Sequence, residues 1–121
     1  MIVGEAFPIV STPDLERMLG FYRDLLGGTV EYEFPTGQPV YVSLRLGSSS
    51  IGLTHDAEAT LGVSQRFALW VYVDDCDAAV AELRADGIEV VEEPHDQPWG
   101  ERMARVLDPD GNQLIVGQRD G

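Results

Sequence analysis

Lysine is absent from this sequence of 121 residues, and its eight basic side chains are all arginines, against 21 aspartates and glutamates. The formal net charge is −13. So acidic a surface repels phosphate backbones, which excludes nucleic acid as an expected partner. It favours solubility and draws cations. A GC-rich genome or a salty habitat would produce the same balance, so charge alone leaves open whether it recruits a cationic ligand. Cysteine is nearly absent too, and a lone Cys76 excludes an internal disulfide. No apolar run approaches the roughly 20 residues of a membrane span. The opening Met1-Ile2-Val3-Gly4-Glu5 has neither a basic n-region nor an apolar h-region. The expectation is cytoplasmic residence without membrane contact. Hydrophobic residues at 44% and charged residues at 24% are the balance of a globular protein. The length fits one domain that needs no staple.

Along the chain, short apolar segments alternate with turn signals. Ala6 to Val10 is expected as a strand, with Pro8 marking an edge or bulge. Thr12 suits an N-cap, Pro13 a first helical position, and Asp14 the positive end of the helix dipole. Leu15, Met18, Leu19, Tyr22, Leu25 and Leu26 then recur at three- and four-residue steps, the stripe of an amphipathic helix. Gly27-Gly28 ends it. Thr29–Phe34 and Val40–Leu46 alternate as strands, Gly47-Ser48-Ser49 turns the chain, and Ser50–Thr54 returns. In the second half, Phe67 to Val73 alternates, Asp74-Asp75 caps a helix over Cys76–Ala85, and Asp86-Gly87 stops it. Ile88–Glu92 reads as a strand, Pro94–Gly100 as a loop and Glu101–Leu107 as a strand. Asp108-Pro109-Asp110-Gly111-Asn112 is a hairpin turn before Gln113–Gln118.

Each half therefore reads strand, aspartate cap, amphipathic helix, glycine, strand, loop, hairpin. The sequence is an internal duplication, with repeats at about 5–60 and 65–119 within one domain over 1–121. The expected fold class is α+β, two βαβββ repeats. That order, the segment Asp14-Leu15-Glu16-Arg17-Met18-Leu19-Gly20-Phe21-Tyr22-Arg23-Asp24-Leu25-Leu26-Gly27 and the turn at 108–112 resemble the vicinal oxygen chelate superfamily. That group includes glyoxalase I, extradiol dioxygenases and bleomycin-resistance proteins. The resemblance implies a cup-shaped mixed sheet and a homodimer.

Enzymes of that superfamily hold a divalent metal with His, Gln or Glu from particular strands. Carried onto this sequence, those positions fall on Phe7, Gly52, Arg66 and Ile115. None supplies the carboxylate or imidazole that such ions take. The expectation is therefore no metal, no cofactor and no catalytic residue. His55 and His95 lie in polar stretches and read as solvated surface histidines rather than a novel metal or acid–base site. Asp56 and Glu58 beside His55 read as solvated charge rather than a general base.

What remains is a small-molecule site. Strand parity places Phe7, Ile9, Tyr41, Ser43, Gly52, Thr54, Trp70, Met103, Arg105 and Ile115 on its lining, with Trp70 the leading candidate. The run Gln97-Pro98-Trp99-Gly100-Glu101-Arg102 resembles the bleomycin-resistance branch, which adds Trp99. Flat aromatic ligands gain from stacking on indole, and cationic ones gain more. The functional expectation is a metal-independent protein that sequesters an aromatic or cationic drug-like compound. Its rivals are a metal-dependent lyase, isomerase or dioxygenase with displaced ligands, and an accessory domain whose cup is simply filled.

Overall fold

The computed structural model describes residues 1–61 and 67–120, and the chain divides into two compact units, Met1–Thr60 and Leu61–Gly121. The first unit runs β1 (Ile9–Thr12), α1 (Leu15–Leu19), a π-helical segment (Gly20–Leu25), β2 (Thr29–Phe34), β3 (Tyr41–Leu46) and β4 (Ser49–His55). The second runs β5 (Leu69–Val73), α2 (Cys76–Ala85), β6 (Val90–Asp96), β7 (Arg102–Leu107) and β8 (Gln113–Gln118). The sheet orders are β1-β4-β3-β2 and β5-β8-β7-β6. In each sheet the first strand lies parallel to the last, and the other pairs are antiparallel. This is the expected pair of βαβββ repeats.

One face of each sheet is core. In the first unit Val42, Leu44, Ile51 and Leu53 are buried, as are Leu15, Met18, Phe21 and Tyr22, and α1 packs on β4. In the second unit Ala104, Val106, Leu114 and Val116 are buried with Cys76, Val80 and Leu83 of α2. Each large aliphatic side chain so buried is worth about 1.5–3 kcal/mol. Burial pushes the Cys76 thiol pKa up, and its S–H donates to the Val116 carbonyl at 3.4 Å.

Several boundaries differ from the sequence expectation. β1 starts at Ile9 rather than Ala6: Pro8 has no N–H to give, and only its carbonyl joins the ladder, accepting from Gly52 N–H at 2.8 Å. The N-cap of the first helix is Asp14, not Thr12; its carboxylate accepts from Arg17 N–H at 3.1 Å. Thr12 is buried instead, its hydroxyl bonded to the Asp14 backbone. The first helix is not α throughout, since it widens to a π-helical form from Gly20. Gly27 closes it at φ 78°, and Gly28 packs so tightly that a Cβ would come within 2.7 Å of the Tyr22 carbonyl.

In the second unit the ladder of β5 begins at Leu69 rather than Phe67, and Arg66 lies outside the described residues. β6 runs over Val90–Asp96, so Pro94 and His95, expected in a loop, are in a strand. An edge position and two bulges, at Val90/Glu92 and Glu92/His95, make room for Pro94 without costing a ladder bond. Asp75 caps α2 as expected, accepting from Ala78 N–H at 3.0 Å.

Candidate functional site

Each sheet has a second face that no helix of its own unit buries. In the first unit, register places Ile9, Gly52, Ser43 and Tyr32 in one row across it. Ser11, Thr54, Tyr41 and Phe34 form the next row. The Tyr41 ring lies over Gly52, where a Cβ would meet the phenol oxygen at 2.7 Å. Ile9 and Phe34 are 56% and 58% exposed, so this face is apolar and open in its unit. Beside it a hollow of about 200 Å³ is lined by Glu5, Ala6, Phe7, Arg45, Ser48, Ser49 and Ser50.

In the second unit the corresponding row is Trp70, Ile115, Arg105 and Glu92, followed by Tyr72, Gly117, Met103 and His95. The Trp70 indole lies over Gly117, with Nε1 2.6 Å from where a Cβ would sit. That Nε1–H is shut off from solvent and has no hydrogen-bond partner among the described residues. The Trp70 and Tyr72 rings stand 5.7 Å apart, tilted by 59°. The Tyr72 hydroxyl donates to the Glu101 carboxylate at 3.0 Å, and Trp99 Nε1–H donates to the same carboxylate at 2.9 Å. Glu101 beside it raises the Tyr72 pKa. Trp99, 59% exposed, sits in the tight connection from β6 to β7, which is closed by Gln97 N–H donating to the Glu101 carbonyl at 2.7 Å.

Both faces carry a three-strand polar network. In the first, Arg45 pairs with Glu31 at 2.8 Å and Ser50 Oγ donates to Glu31 at 2.7 Å. The Ser50 hydroxyl and then Arg45 hold the Glu31 pKa below its usual value. In the second, Arg105 pairs with Glu92 at 3.1 Å and donates to Gln113 Oε1 at 2.9 Å. Glu92 Oε2 also lies 3.1 Å from His95 Nε2, while His95 Nδ1 meets the Glu93 carbonyl at 2.8 Å.

These residues do not fit the divalent ion of the vicinal oxygen chelate enzymes. Phe7, Gly52 and Ile115 carry no donor atom. Of the carboxylates that reach the two faces, Glu31 and Glu92 are each held by a guanidinium, which would repel a cation, and Glu101, among the described residues, lacks the further carboxylates or imidazoles that would complete a divalent site. Among the described residues no group of three or more His, Cys, Asp or Glu is arranged to hold a metal ion. His55, at the end of β4, is exposed, and Asp56 caps a turn by accepting from Glu58 N–H at 3.0 Å.

The structure thus gathers Ile9, Tyr41, Ser43, Gly52 and Thr54 on one face, with Phe7 in the adjoining hollow. It gathers Trp70, Met103, Arg105 and Ile115 on the other, with Trp99 in the loop beside Glu101. Met103 and Ile115 are nearly buried there, at 4% and 8% exposure, so they offer a floor rather than an edge. Sequence reasoning missed Tyr32, Phe34, Tyr72, Glu101 and Arg119. Alternation with Trp70 was signal enough for Tyr72. For Tyr32 and Phe34 there was none, because a bulge between Val30 and Tyr32 turns them from Val30's face onto the open one.

A sequence profile of the Glyoxalase/Bleomycin resistance protein/Dioxygenase superfamily matches residues 6–116. The chain is 34% identical over 104 residues to "Putative glyoxylase CFP32" of Mycobacterium tuberculosis, a match covering 85% of this chain and 38% of that protein. It therefore spans well under half the length of that curated relative. A solved protein of unknown function from Agrobacterium tumefaciens is similar at TM-score 0.79 and 24% identity, covering 98% of this chain and 96% of the other. A bleomycin-binding protein complexed with bleomycin is similar at TM-score 0.69 and 21% identity, over 98% of this chain and all of that one. No helix among the described residues is long and apolar enough to cross a membrane.

Proposed function

Because the chain belongs to the Glyoxalase/Bleomycin resistance protein/Dioxygenase superfamily, we propose that it is a metal-independent binder of a flat aromatic, preferably cationic, small molecule. The observation that carries this reading is the aromatic face of the second sheet. Trp70 lies on Gly117 with an unspent N–H, Tyr72 stands beside it, and Trp99 shares the Glu101 carboxylate. Indole and phenol faces supply stacking area, and a cation above them gains further attraction. A net charge of −13 enriches cations near the surface. Met103, Arg105, Ile115 and Trp99 extend this contact surface within the second unit, and Phe7, Ile9, Tyr41, Ser43, Gly52 and Thr54 form a contact surface of the first unit's own. The bleomycin-binding neighbour supports small-molecule binding as the role of this fold. Action is by sequestration: the compound is held away from its target and leaves unchanged.

The protein works as a homodimer in the cytoplasm, the exposed apolar residues Tyr32 and Phe34 being covered by a second copy. The measured solution mass should be twice 13.3 kDa. Titration with the dye acridine orange tests the ligand class. Tryptophan emission should be quenched, and at a dye concentration 100 times Kd the fold should gain about 2.7 kcal/mol against denaturation. Unchanged emission and stability across cationic aromatic compounds would overturn the proposal.

A second reading, a metal-dependent enzyme of the superfamily, is favoured by the identity to a relative named as a glyoxylase. Elemental analysis of the purified protein decides between them, since a stoichiometric divalent ion would establish the enzymatic reading.

A further inference from the structure

Arg23, Arg45, Arg84, Arg102 and Arg105 each pair with a carboxylate. Arg119 does not: its guanidinium carbon lies 3.8 Å above the centroid of the Tyr72 ring, with no carboxylate in ion-pair reach among the described residues. In a chain with 21 acidic residues, a guanidinium resting on a ring marks that ring as a favourable seat for a flat cation. The ring is held in place from its far end, since its hydroxyl straddles both oxygens of Glu101 at 3.3 and 3.0 Å. Trp99 Nε1–H holds the same carboxylate at 2.9 Å. A carboxylate can accept about four hydrogen bonds, so Glu101 keeps capacity for a donor from a ligand. A second carboxylate is near: Asp120 Oδ2 would lie 2.7 Å from a Cβ at Gly100, whose φ of 103° already favours glycine. The residues after β8 therefore lie against the 97–101 connection while placing Arg119 on Tyr72.

We propose that Tyr72, Glu101 and Trp99 form a seat for a planar organic cation, a guanidinium or amidinium, for which Arg119 competes from within the same chain. The inference rests on the aromatic-binding reading above and names the charged group such a ligand would carry. A flat delocalised cation fits because it can lie on the phenol face at stacking distance while its edge N–H groups reach Glu101. A compact ammonium matches that forked geometry less well. Arg119 is held by one exposed cation–π contact, so a ligand displaces it readily, leaving Glu101 and Asp120 to face the incoming charge.

The test uses benzamidine and its neutral isostere benzamide on the full chain, followed by the indole N–H and tyrosine ring resonances in NMR. Benzamidine should shift the Trp99 and Tyr72 signals in a saturable way, and benzamide should not. Arg119→Ala should tighten benzamidine binding about two- to fivefold, the factor equivalent to one exposed cation–π contact. Glu101→Gln should weaken it about tenfold or more, as expected for loss of a charge-assisted hydrogen bond. Equal shifts from both probes, or an Arg119→Ala variant that binds benzamidine no better, would overturn the seat. If both probes move only Trp70, the aromatic-binding reading survives and the cation seat falls. If neither probe moves any ring signal, the seat falls, and acridine orange then decides the broader reading.

Discussion

The two sheets carry the same hidden face and different open ones. Aligned by strand register, Val42, Leu44, Ile51 and Leu53 of the first correspond to Ala104, Val106, Leu114 and Val116 of the second, and all eight are buried. Glu31 and Glu92 stand the same number of residues beyond their helix N-caps, Asp14 and Asp75. Ser50 and Gln113 are equivalent in register as third members of the two polar networks. The arginines differ by one same-face step, since Ser43 and Arg105 are the equivalents and Arg45 lies beyond. The aromatic residues have moved farther. The first face carries them on β2 and β3, as Tyr32, Phe34 and Tyr41, whereas the second carries them on β5, as Trp70 and Tyr72. Core and cross-strand charge answer to folding, which both repeats share. The aromatic surface is free of that demand, and its divergence is what the proposed ligand binding would produce.

The comparison can be broken most sharply in the core. Leu44→Ala and Leu114→Ala should each destabilise their unit by about 2–5 kcal/mol, measured by urea denaturation. Similar costs are expected, and a cheap substitution in one unit alone would end the structural equivalence. Next come the glycines beneath the rings. Gly52→Ala and Gly117→Ala crowd Tyr41 and Trp70 by distances of 2.7 Å or less and should cost about 1–3 kcal/mol each. Only Gly117→Ala should shift tryptophan emission, because only there is the displaced ring an indole. The helix caps should differ less: Asp14→Ala and Asp75→Ala should each cost about 1 kcal/mol by the same measurement.

The smallest effect is electrostatic. A carboxylate whose folded pKa is depressed stabilises the fold above its unfolded value and loses that contribution as pH falls through the folded value. Glu31, lowered by Ser50 and Arg45, is such a group. Melting temperature should therefore fall as pH drops below the ordinary glutamate value of 4.5, and Glu31→Gln should flatten that part of the curve slightly. A curve unchanged by the substitution would show that the exposed network contributes nothing, as many surface pairs do.

Much of the scaffold was legible. The α2 limits, the β2 and β8 limits and the inward face of β3 followed from alternation, three-to-four spacing and glycine stops, whereas the face of β7 was left open by the sequence. The misplaced boundaries have local causes that a pattern of polarity does not carry. Thr12 and Asp14 are both competent caps, and burial of Thr12 decided between them. Pro94 reads as a loop until the edge position of β6 and its bulges are known. The candidate site was legible only in part. Trp70 and Tyr41 announce themselves by size on an alternating strand, but Glu101 and Arg119 gain meaning only from what they touch.

By itself, the sequence determined the repeat, the strand and helix order, the acidic surface and the absence of ligating side chains at the carried-over metal positions Phe7, Gly52 and Ile115. These are properties of local spacing and side-chain chemistry. Tertiary structure decided which carboxylate meets which arginine, that Trp70 lies on Gly117, and that Arg119 reaches Tyr72. Those contacts join residues far apart in the chain, and three bulges alter strand parity where a one-residue step turns a side chain to the opposite face.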